Sequence, residues 1–271
     1  QIEFSCSFIH QNRLKMNEKW SYKYLYQSKF AQLLKSRSKF LINLHNHEDT
    51  VVIGGLKTGA NPFYFPSLKL RKKYHIEKQF LIPGIKSGRN LPDGYTIESS
   101  PNPFLSIEAD ICINDYPNLK QYIQYGKNKK KYNQRPSVKW NPWYFIPKSH
   151  QSIPDIVFLR HINTNFVAKW NLKKCVTADG IRGIQVLNKD HILFYLGLLN
   201  STYFYWQAHV QGRWEGQGDL QLLVYELKRF QIPNISSLST DKITTVEKCM
   251  NNLLKIEKTQ RNSKNERDKQ Y

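Results

Sequence analysis

The chain contains 271 residues, of which 41 are Lys or Arg and 21 are Asp or Glu, so its formal net charge is +20 and its pI is about 9.7. This length allows one large domain or two small ones with a real hydrophobic core, which excludes any need for a disulfide or metal staple. The excess of positive charge points to a polyanionic partner, either a nucleic acid or an anionic membrane surface.

The first half of the chain predicts short elements in mixed order. A helix is predicted over about residues 21–35. The segment Asp49–Phe65 predicts a strand at Val51–Ile53, a Gly-rich turn and a second strand. Other predicted elements are short strands near residues 80–82, 95–97, 105–107 and 156–159, and a helix near residues 118–125.

The second half is predicted to be more helical. Asn188 is a candidate N-cap for a helix over about Lys189–Leu199, and the helical pattern resumes after Ser201. The apolar stretch Ile192–Trp206 is shorter than the roughly 18 apolar residues of a membrane span. We therefore interpret it as a buried helix and expect no membrane partner.

An amphipathic helix is predicted at the C-terminus, with Thr240 as its N-cap. The polar tail after about Gln260 is expected to fray. The predicted apolar face consists of Ile243, Val246, Met250, Leu253 and Leu254. Strands and helices are mixed along the chain without a regular βαβ alternation. The predicted fold is therefore α+β, with short-stranded mixed sheets, flanking helices and the C-terminal amphipathic helix.

The positive charge is concentrated in two runs. Residues 57–89 contain eight basic side chains and one acid, Glu77, and residues 116–154 contain eight basic side chains and no acid. Aromatic residues are interleaved with both runs. Lys and Arg neutralise phosphates, and aromatic rings can stack on exposed bases, so the runs favour nucleic-acid binding.

The four cysteines favour a reduced protein. They are scattered and form no Cys-x-x-Cys pair, which argues against a zinc site. We therefore expect a cytoplasmic location. The chain opens at Gln1 without a signal-peptide pattern, so we expect it to be a portion of a longer polypeptide.

Three Asn-Pro segments approach the Asn-Pro-Pro-Tyr loop with which adenine methyltransferases hold the flipped base. They begin at Asn61 ("NPFY"), Asn102 ("NPF") and Asn141 ("NPWY"), and each lacks the second proline. The glycines of "IGGLKTG" are neither preceded by an acidic residue at the end of their strand nor followed by a helical pattern, as an S-adenosylmethionine loop would require. We interpret the three segments as Asn-Pro turns and assign no catalytic residue.

Two further groups of residues suggest metal chemistry. "HNHED", His45–Asp49, places two imidazoles near two carboxylates, but a metal site would need a ligand from elsewhere, and a polar loop before a strand is the preferred interpretation. Pro154, Asp155, Glu226 and Lys228 could form a nuclease motif with a distant Glu-x-Lys. A self-contained metal-dependent nuclease is therefore the alternative function.

The order of several motifs resembles the C-terminal specificity region of TaqI-type adenine-N6 DNA methyltransferases and the related type IIG restriction–modification enzymes. "GLKTGANPFYF" resembles the opening block, "FLIPGIKSGRNL" the following strand and turn, and "RPSVKWNPWYFI" an Arg-Pro…Trp-Tyr segment. "LGLLNSTYFYWQAHVQGRWEGQGDLQLLVYELKRFQIP" is similar to the family's Leu-Leu-Asn-Ser helix, Gly-rich loop and closing Glu-Leu-Lys…Ile-Pro. The resemblance covers about residues 8–233.

This resemblance implies a division of labour. The catalytic domain is missing from this chain; it would bind S-adenosylmethionine and the adenine, so no cofactor is expected here. The implied partners are double-stranded DNA and an N-terminal methyltransferase domain. Residues 1–42 would link to that domain, residues 43–235 would form the DNA target-recognition domain, and residues 236–271 would form the C-terminal helix and tail. A scaffold that docks on an acidic protein or membrane is a further alternative.

The candidate DNA-binding residues fall into two groups, and no metal ligand is assigned. Loop lysines act as mobile point charges, so we predict phosphate contacts from Lys72, Lys73, Lys129, Lys130 and Lys131. Side chains at Gly- or Pro-marked turns can reach into a groove, so we predict base or groove contacts from Lys57, Thr58, Asn61, Lys86, Arg89, Arg135 and Arg213. Trp214 is predicted to be a DNA wedge or a cap on the core. Trp143 is predicted to be packed in the domain, with Lys139 and Lys148 facing DNA.

Overall fold

The structure, a computed structural model, describes residues 40–100, 102–129, 141–162, 166–215 and 219–268, with side chains as far as Arg261. The predicted helix at residues 21–35 lies outside this part of the chain. The described residues form short strands and helices in mixed order, which confirms the α+β prediction.

The elements are numbered in chain order. The strands are β1 Leu41–Asn43, β2 Thr50–Gly54, β3 Leu81–Ile85, β4 Asn102–Leu105, β5 Ile156–Leu159, β6 His161–Ile162, β7 Lys169–Trp170, β8 Val176–Thr177, β9 Ile181–Val186, β10 Arg213–Trp214, β11 Leu220–Gln221 and β12 Gln231–Pro233. The helices are α1 Asn61–Tyr64, α2 Leu68–Tyr74, α3 Pro117–Asn128, α4 Ile192–Leu199, α5 Thr202–Gln211, α6 Val224–Leu227 and α7 Thr240–Asp268.

The larger core lies against an antiparallel sheet with the order β2-β9-β5-β7. Ile184 on β9 is opposite Val52 on β2 and Ile156 on β5. These β-branched side chains suit a pleated surface that is buried. They pack with Phe194 of α4 and Phe204 of α5, so the apolar stretch contributes two core helices, in line with the prediction that the helical pattern resumes after Ser201.

The smaller core collects α1, α3 and the β3–β4 pair. Phe63 of α1 stacks on Tyr122 of α3 with ring centroids 4.9 Å apart. Phe104 of β4 packs edge-on against the ring of Phe65. Strand β8 pairs in parallel with β3 and forms the edge of the small sheet in the smaller core. The chain therefore passes through the smaller core just before it enters β9 of the larger sheet.

Helix α7 packs on α4. Met250 is buried in the larger core, and an added Cβ on Gly197 of α4 would lie 2.8 Å from Val246 Cγ1. The predicted apolar face is wrong at Leu253, which is exposed. The helix also begins at Thr240, where an N-cap was predicted, and continues to Asp268, past the predicted fraying point.

Two predicted strands are wrong. The segment Asn61–Tyr64 is one helical turn, because Pro62 is set at its start and Phe63 and Tyr64 both turn into the core. Residues 95–97 make a single bridge between Thr96 and Trp170. The Tyr95 amide donates to the carboxylate of Glu257 on α7 and not to a neighbouring strand.

The predicted strand at residues 105–107 is displaced, since β4 spans Asn102–Leu105. The strand at Ile156–Leu159 and the helix around residues 118–125 are confirmed, as is the Asn188 cap, whose side chain accepts from the Asp190 amide. Within the described ranges, no helix is long and apolar enough to cross a membrane.

Candidate nucleic-acid interface

Three loops meet around the turn from Ala178 to Ile181. The Leu56 amide donates to the Thr177 carbonyl (2.7 Å), and on the other side the Ala178 amide donates to the Ile85 carbonyl (3.0 Å). Lys57 and Lys86 directly follow the two flanking residues. Leu56 and Ile85 lie on opposite sides of the turn, so two inter-strand spacings, roughly 10 Å, separate their backbones. Two candidates that are 29 positions apart in sequence thus emerge beside one turn.

Gly55 makes this close approach possible. Its amide donates to the Ile181 carbonyl (3.0 Å), and a Cβ at position 55 would lie 2.0 Å from the Ala178 carbonyl oxygen. No side chain fits that distance. The glycine therefore sets the distance between the loop carrying Lys57 and the turn carrying Asp179.

Two cavities of about 410 and 400 Å³ open beside this turn and share Lys57 and Asp179 in their linings. We call them together the Lys57–Asp179 groove. The first is lined by Leu56, Lys57, Thr58, Gly59, Asn61 and Asp179, and the second by Gly54, Gly55, Lys57, Asp179, Arg182, Leu223, Val224, Tyr225 and Lys228. Among these lining residues, Asp179 is the single acid beside three basic side chains.

The turn at the centre of the groove is held by arginines. Arg182 is buried, and its Nη1 donates to the backbone carbonyls of Asp179 (2.6 Å) and Ile181 (3.0 Å). Arg160 Nη1 donates to Asp179 Oδ2 (3.2 Å). Asp179 Oδ1 is buried and accepts no hydrogen bond from the described residues, and Arg182 Nη1 lies 3.6 Å away.

Residues in and around α6 line the second cavity, and Arg213 of β10 contacts one of them, Tyr225. Arg213, which is exposed, donates from Nη2 to the hydroxyl of Tyr225 (2.5 Å). The Arg229 guanidinium lies 5.9 Å from the centre of the Tyr225 ring. Trp214 is half exposed and stacks on His209, with its Nε1 donating to the His209 carbonyl (3.2 Å). An aromatic surface between basic groups therefore borders the groove.

The sequence-predicted residues near the groove differ in exposure. Lys57 and Arg89 are exposed, and the Lys86 amide donates to Asn102 Oδ1 (3.3 Å). Thr58 is buried, and its hydroxyl donates to Asn61 Oδ1 (2.6 Å) while accepting from the Ala60 amide. Thr58 is thus placed to orient Asn61 at the edge of the first cavity.

A second group lies where α2 meets α3, and we call it the α2–α3 edge. Lys73 Nζ is 5.3 Å from the Tyr74 ring centre, and Lys129 Nζ is 5.8 Å from the Tyr125 ring centre. The two rings are 5.2 Å apart. Lys72 is exposed on the same helix as Lys73. The predicted residues Lys130, Lys131 and Arg135 lie outside the described residues.

Four aromatic residues of the basic runs that the structure describes, Tyr74, Tyr125, Trp143 and Tyr144, pack against the smaller core. Trp143 lies 4.9 Å from the Phe63 ring, and its carbonyl accepts from the Tyr64 hydroxyl. Its "NPWY" segment, which has a cis peptide bond at Pro142, is therefore part of the domain's packing, as predicted. Lys148 is exposed and pairs with Glu108 (2.5 Å), while Lys139 lies outside the described residues.

The "HNHED" segment is a turn, buried at His47 and Asp49, that leads into β2. The Asp49 amide donates to His47 Nδ1 (3.2 Å), and Asp49 Oδ2 lies 2.7 Å from His191 Nδ1. Burial lowers the pKa of His47, although Asp49 acts in the opposite direction. Burial likewise raises the pKa of the neighbouring Tyr195. These groups join β2 to the start of α4.

The carboxylates of the alternative nuclease are both engaged. Asp155 is fully buried, and its oxygens accept from Lys174 and Lys189 at 2.6 Å and from the Val186 amide at 2.9 Å. Glu226 is buried and accepts from the Leu223 amide at 2.9 Å. Neither carboxylate is arranged to bind a divalent ion.

A different group has the residue types of a metal site. Ligand atoms of His161, Glu215 and Asp219 lie within 4.8 Å of one another, with His161 Nδ1 2.6 Å from Asp219 Oδ2. The sequence carries no local signal for this group, because 54 positions separate His161 from Glu215 and the β6–β11 pairing brings them together. Asp179, Arg182 and Tyr225 likewise belong to no local motif, so the sequence alone did not predict them as candidates.

Comparisons with known proteins found a family model and solved structures that match this chain. The family model described as "Type II methyltransferase M.Eco57I, C-terminal domain" matches residues 17–267. A solved structure titled "Characterization and crystal structure of the type IIG restriction endonuclease BpuSI" matches with a TM-score of 0.57 and 15% identity. That match covers 85% of this chain but 28% of the other, and at this identity it shows a shared fold. No curated protein matches.

Proposed function

Since the chain belongs to the family of type II methyltransferase C-terminal domains, we propose that it is the DNA target-recognition portion of an adenine-N6 DNA methyltransferase or restriction–modification enzyme. The catalytic domain, which would bind S-adenosylmethionine and the target adenine, is then the N-terminal methyltransferase domain with which this portion acts. This chain by itself binds duplex DNA and transfers no methyl group.

The Lys57–Asp179 groove is the observation that carries this proposal. It brings Lys57 and Asn61 from one loop beside Lys228 and Tyr225 from another part of the chain. Phosphate contacts set the position of a protein on DNA, while polar side chains at base edges set its sequence preference. The groove offers both kinds of side chain, and the α2–α3 edge adds further lysines.

The lining suits an anion better than the family's cofactor. S-adenosylmethionine carries a sulfonium cation, whereas Lys57, Arg182 and Lys228 all line the groove with positive charge. No described residue is therefore assigned to the cofactor, and the expected site for it remains the missing domain.

Duplex binding by the 271-residue chain tests the proposal. We expect binding at low salt that weakens steeply as salt rises, with a non-specific Kd of roughly 10⁻⁴ to 10⁻⁶ M at physiological salt. The variant Lys57→Gln, in the groove, should weaken binding, whereas Lys255→Gln, exposed on α7, should not. Fluorescence anisotropy with a labelled duplex measures both. Undetectable binding at low salt would rule the proposal out.

The nuclease alternative has a direct test. Supercoiled plasmid is incubated with the chain and Mg²⁺ or Mn²⁺, and a His161→Ala variant serves as the matched control. We expect no nicking, because Asp155 and Glu226 are already hydrogen-bonded within the protein. Metal-dependent nicking that His161→Ala abolishes would instead favour a nuclease built on the His161 group.

A further inference from the structure

Thr58 and Asn61 form a hydrogen-bonded pair at the edge of the first cavity. Only 1% of Thr58 is exposed, and its hydroxyl donates to Asn61 Oδ1 at 2.6 Å while it accepts from the Ala60 amide at 3.0 Å. The hydroxyl proton is therefore directed at the carbonyl oxygen of the Asn61 side chain. Both residues line the cavity of about 410 Å³ together with Lys57.

This hydrogen bond determines which end of the Asn61 amide faces outward. Oδ1 accepts from the buried hydroxyl, whereas Nδ2, on the other branch of the same planar group, donates to none of the described residues. Nδ2 is not buried, so it reaches solvent. An amide nitrogen carries two N–H donors and is not an acceptor. The pair therefore presents a donor at the edge of the cavity.

The backbone on both sides of the pair is fixed. Before it, the Leu56 amide donates to the Thr177 carbonyl at 2.7 Å, and after it, the Phe65 amide donates to the Asn61 carbonyl at 2.8 Å. Phe63, in the helical turn that Asn61 begins, is fully buried. A donor that is already held in place loses little conformational freedom when a ligand binds, as recognition requires.

The neighbouring charges indicate what kind of ligand fits this donor. Lys57 is exposed and lines the same cavity, so an ammonium group and an amide N–H group lie at one edge. Asp179, the acid of the lining, already accepts from Arg160 at 3.2 Å. The complementary ligand is a group of acceptor atoms, which DNA offers on its phosphates and at base edges in the major groove.

We propose that Asn61 Nδ2 donates a hydrogen bond to an acceptor atom of the duplex, and that Thr58 is the positioning residue that turns this donor outward. The acceptor is either a phosphate oxygen or an N7, O6 or O4 atom of a base. This inference rests on the proposed function and gives the two residues separate tasks, one in contact with DNA and one acting through the other.

The donor role is tested by fluorescence anisotropy with a labelled duplex. Asn61→Ala should raise Kd about three- to tenfold, the range for one lost hydrogen bond. Asn61→Asp still accepts from Thr58 but presents an oxygen where the donor stood, so Kd should rise further, by about tenfold or more. The control Asn251→Asp makes the same charge change at an exposed position on α7 and should stay within about twofold of wild type.

A double-mutant cycle tests the positioning role. Thr58→Val, which lacks the hydroxyl, should raise Kd in the wild-type background but should have no further effect on Asn61→Ala. Thr58→Ser keeps the hydroxyl and should bind as wild type does. Thermal melting checks that each variant is folded, and Thr58→Ala takes the place of Thr58→Val in the cycle if the valine variant does not fold.

A randomised duplex pool then identifies the acceptor. Uniform weakening of all sequences by Asn61→Ala means a phosphate oxygen, whereas a preference lost at one position of the selected sequences means a base edge. Asn61 variants that bind as wild type does would overturn the inference and leave the proposed function standing. If the effects of Thr58→Val and Asn61→Ala multiply, Thr58 is not a positioning residue and the inference is wrong. A wild-type chain that binds no duplex at low salt would contradict the proposed function itself.

Discussion

At the scale of single residues, Asp155 shows how a charged group is stabilised inside this fold. Burial alone would raise its pKa, but hydrogen bonds from Lys174 and Lys189 and from the Val186 amide hold that pKa below its ordinary value of 3.8. The carboxylate joins the chain before β5 to the end of β9. These bonds give Asp155 a structural role. Its presence in the possible nuclease motif therefore needs no catalytic explanation.

Replacing Asp155 with Ala should lower the free energy of unfolding by about 3 kcal/mol, because two lysines lose a buried partner. The control Asp190→Ala removes an exposed acid and should change it by less than about 0.5 kcal/mol. Urea unfolding at pH 7 measures both. Since the folded pKa is depressed, the contribution is complete above pH 3.8 and is lost as pH falls below it. Equal stability of the two variants would contradict the structural role.

His47 makes the opposite kind of contribution. Burial lowers its pKa below the ordinary 6.5, against the influence of Asp49, Glu48 and a backbone hydrogen bond. In the unfolded chain His47 therefore binds a proton near pH 6.5, whereas in the folded chain the ring stays neutral at that pH. The Asp49 amide, which donates to Nδ1, is a further reason for a neutral ring.

We expect the melting temperature to be highest above pH 6.5 and to fall as the pH drops below 6.5. His47→Gln should be less stable at about pH 8 but should lose much of this pH dependence. His209, whose pKa burial also lowers, accounts for part of the rest. The exposed His45→Gln should keep the wild-type profile. Parallel profiles for all three proteins would show that His47 is not the group responsible.

At the scale of elements, helix α7 is part of the larger core. Met250 and Val246 contact α4, and near its C-terminal end Arg261 Nη2 donates to the Asp93 carbonyl (2.7 Å). The predicted boundary at residue 235 remains a prediction. These contacts indicate, however, that α7 contributes to the stability of the preceding residues.

The residue pair Met250 and Leu253 tests the docking of α7. Met250→Ala should lower the free energy of unfolding by about 2–5 kcal/mol, because it opens a cavity in the core. Leu253→Ala, three residues along the same helix, should cost less than about 0.5 kcal/mol beyond the small propensity change. Chemical denaturation monitored by circular dichroism gives both values. Similar costs at the two positions would mean that α7 is not packed as the structure shows.

The sequence predicted some of these elements better than others. The strand at Ile156–Leu159 and the Asn188 cap follow from local chemistry, namely a β-branched apolar run and a side chain that accepts from a nearby amide. The segment at residues 95–97 looked similar, but its backbone is bound by Glu257 from 162 positions away. No local pattern carries that information.

At the scale of the whole molecule, the net charge of +20 is a property of the composition, but its effect depends on where the lysines lie. Lys73 and Lys129 come from different parts of the chain and converge on one tyrosine pair. If DNA binds along this edge, these lysines should matter more than equally exposed lysines elsewhere.

The triple variant Lys72→Gln, Lys73→Gln and Lys129→Gln should reduce the slope of log K against log salt by up to about 0.9 for each phosphate that the protein no longer neutralises. The matched control carries the same charge change on α7, at Lys242, Lys248 and Lys255. Its slope should remain close to wild type. Titrations at several salt concentrations measure both, and indistinguishable slopes would show that net charge alone governs binding.

The sequence by itself determined the fold class, the basic character and the order of family motifs, because composition and local patterns are written along the chain. It also predicted DNA contacts from Lys57, Asn61 and Arg213, which stand at turns marked by glycine or proline. Only the tertiary structure decided that Thr58 is buried and that Asp179 lies in one groove with Lys57 and Arg182. Those facts depend on β3, β8 and β9 bringing distant residues to one turn, and pairing between distant strands leaves no local signature.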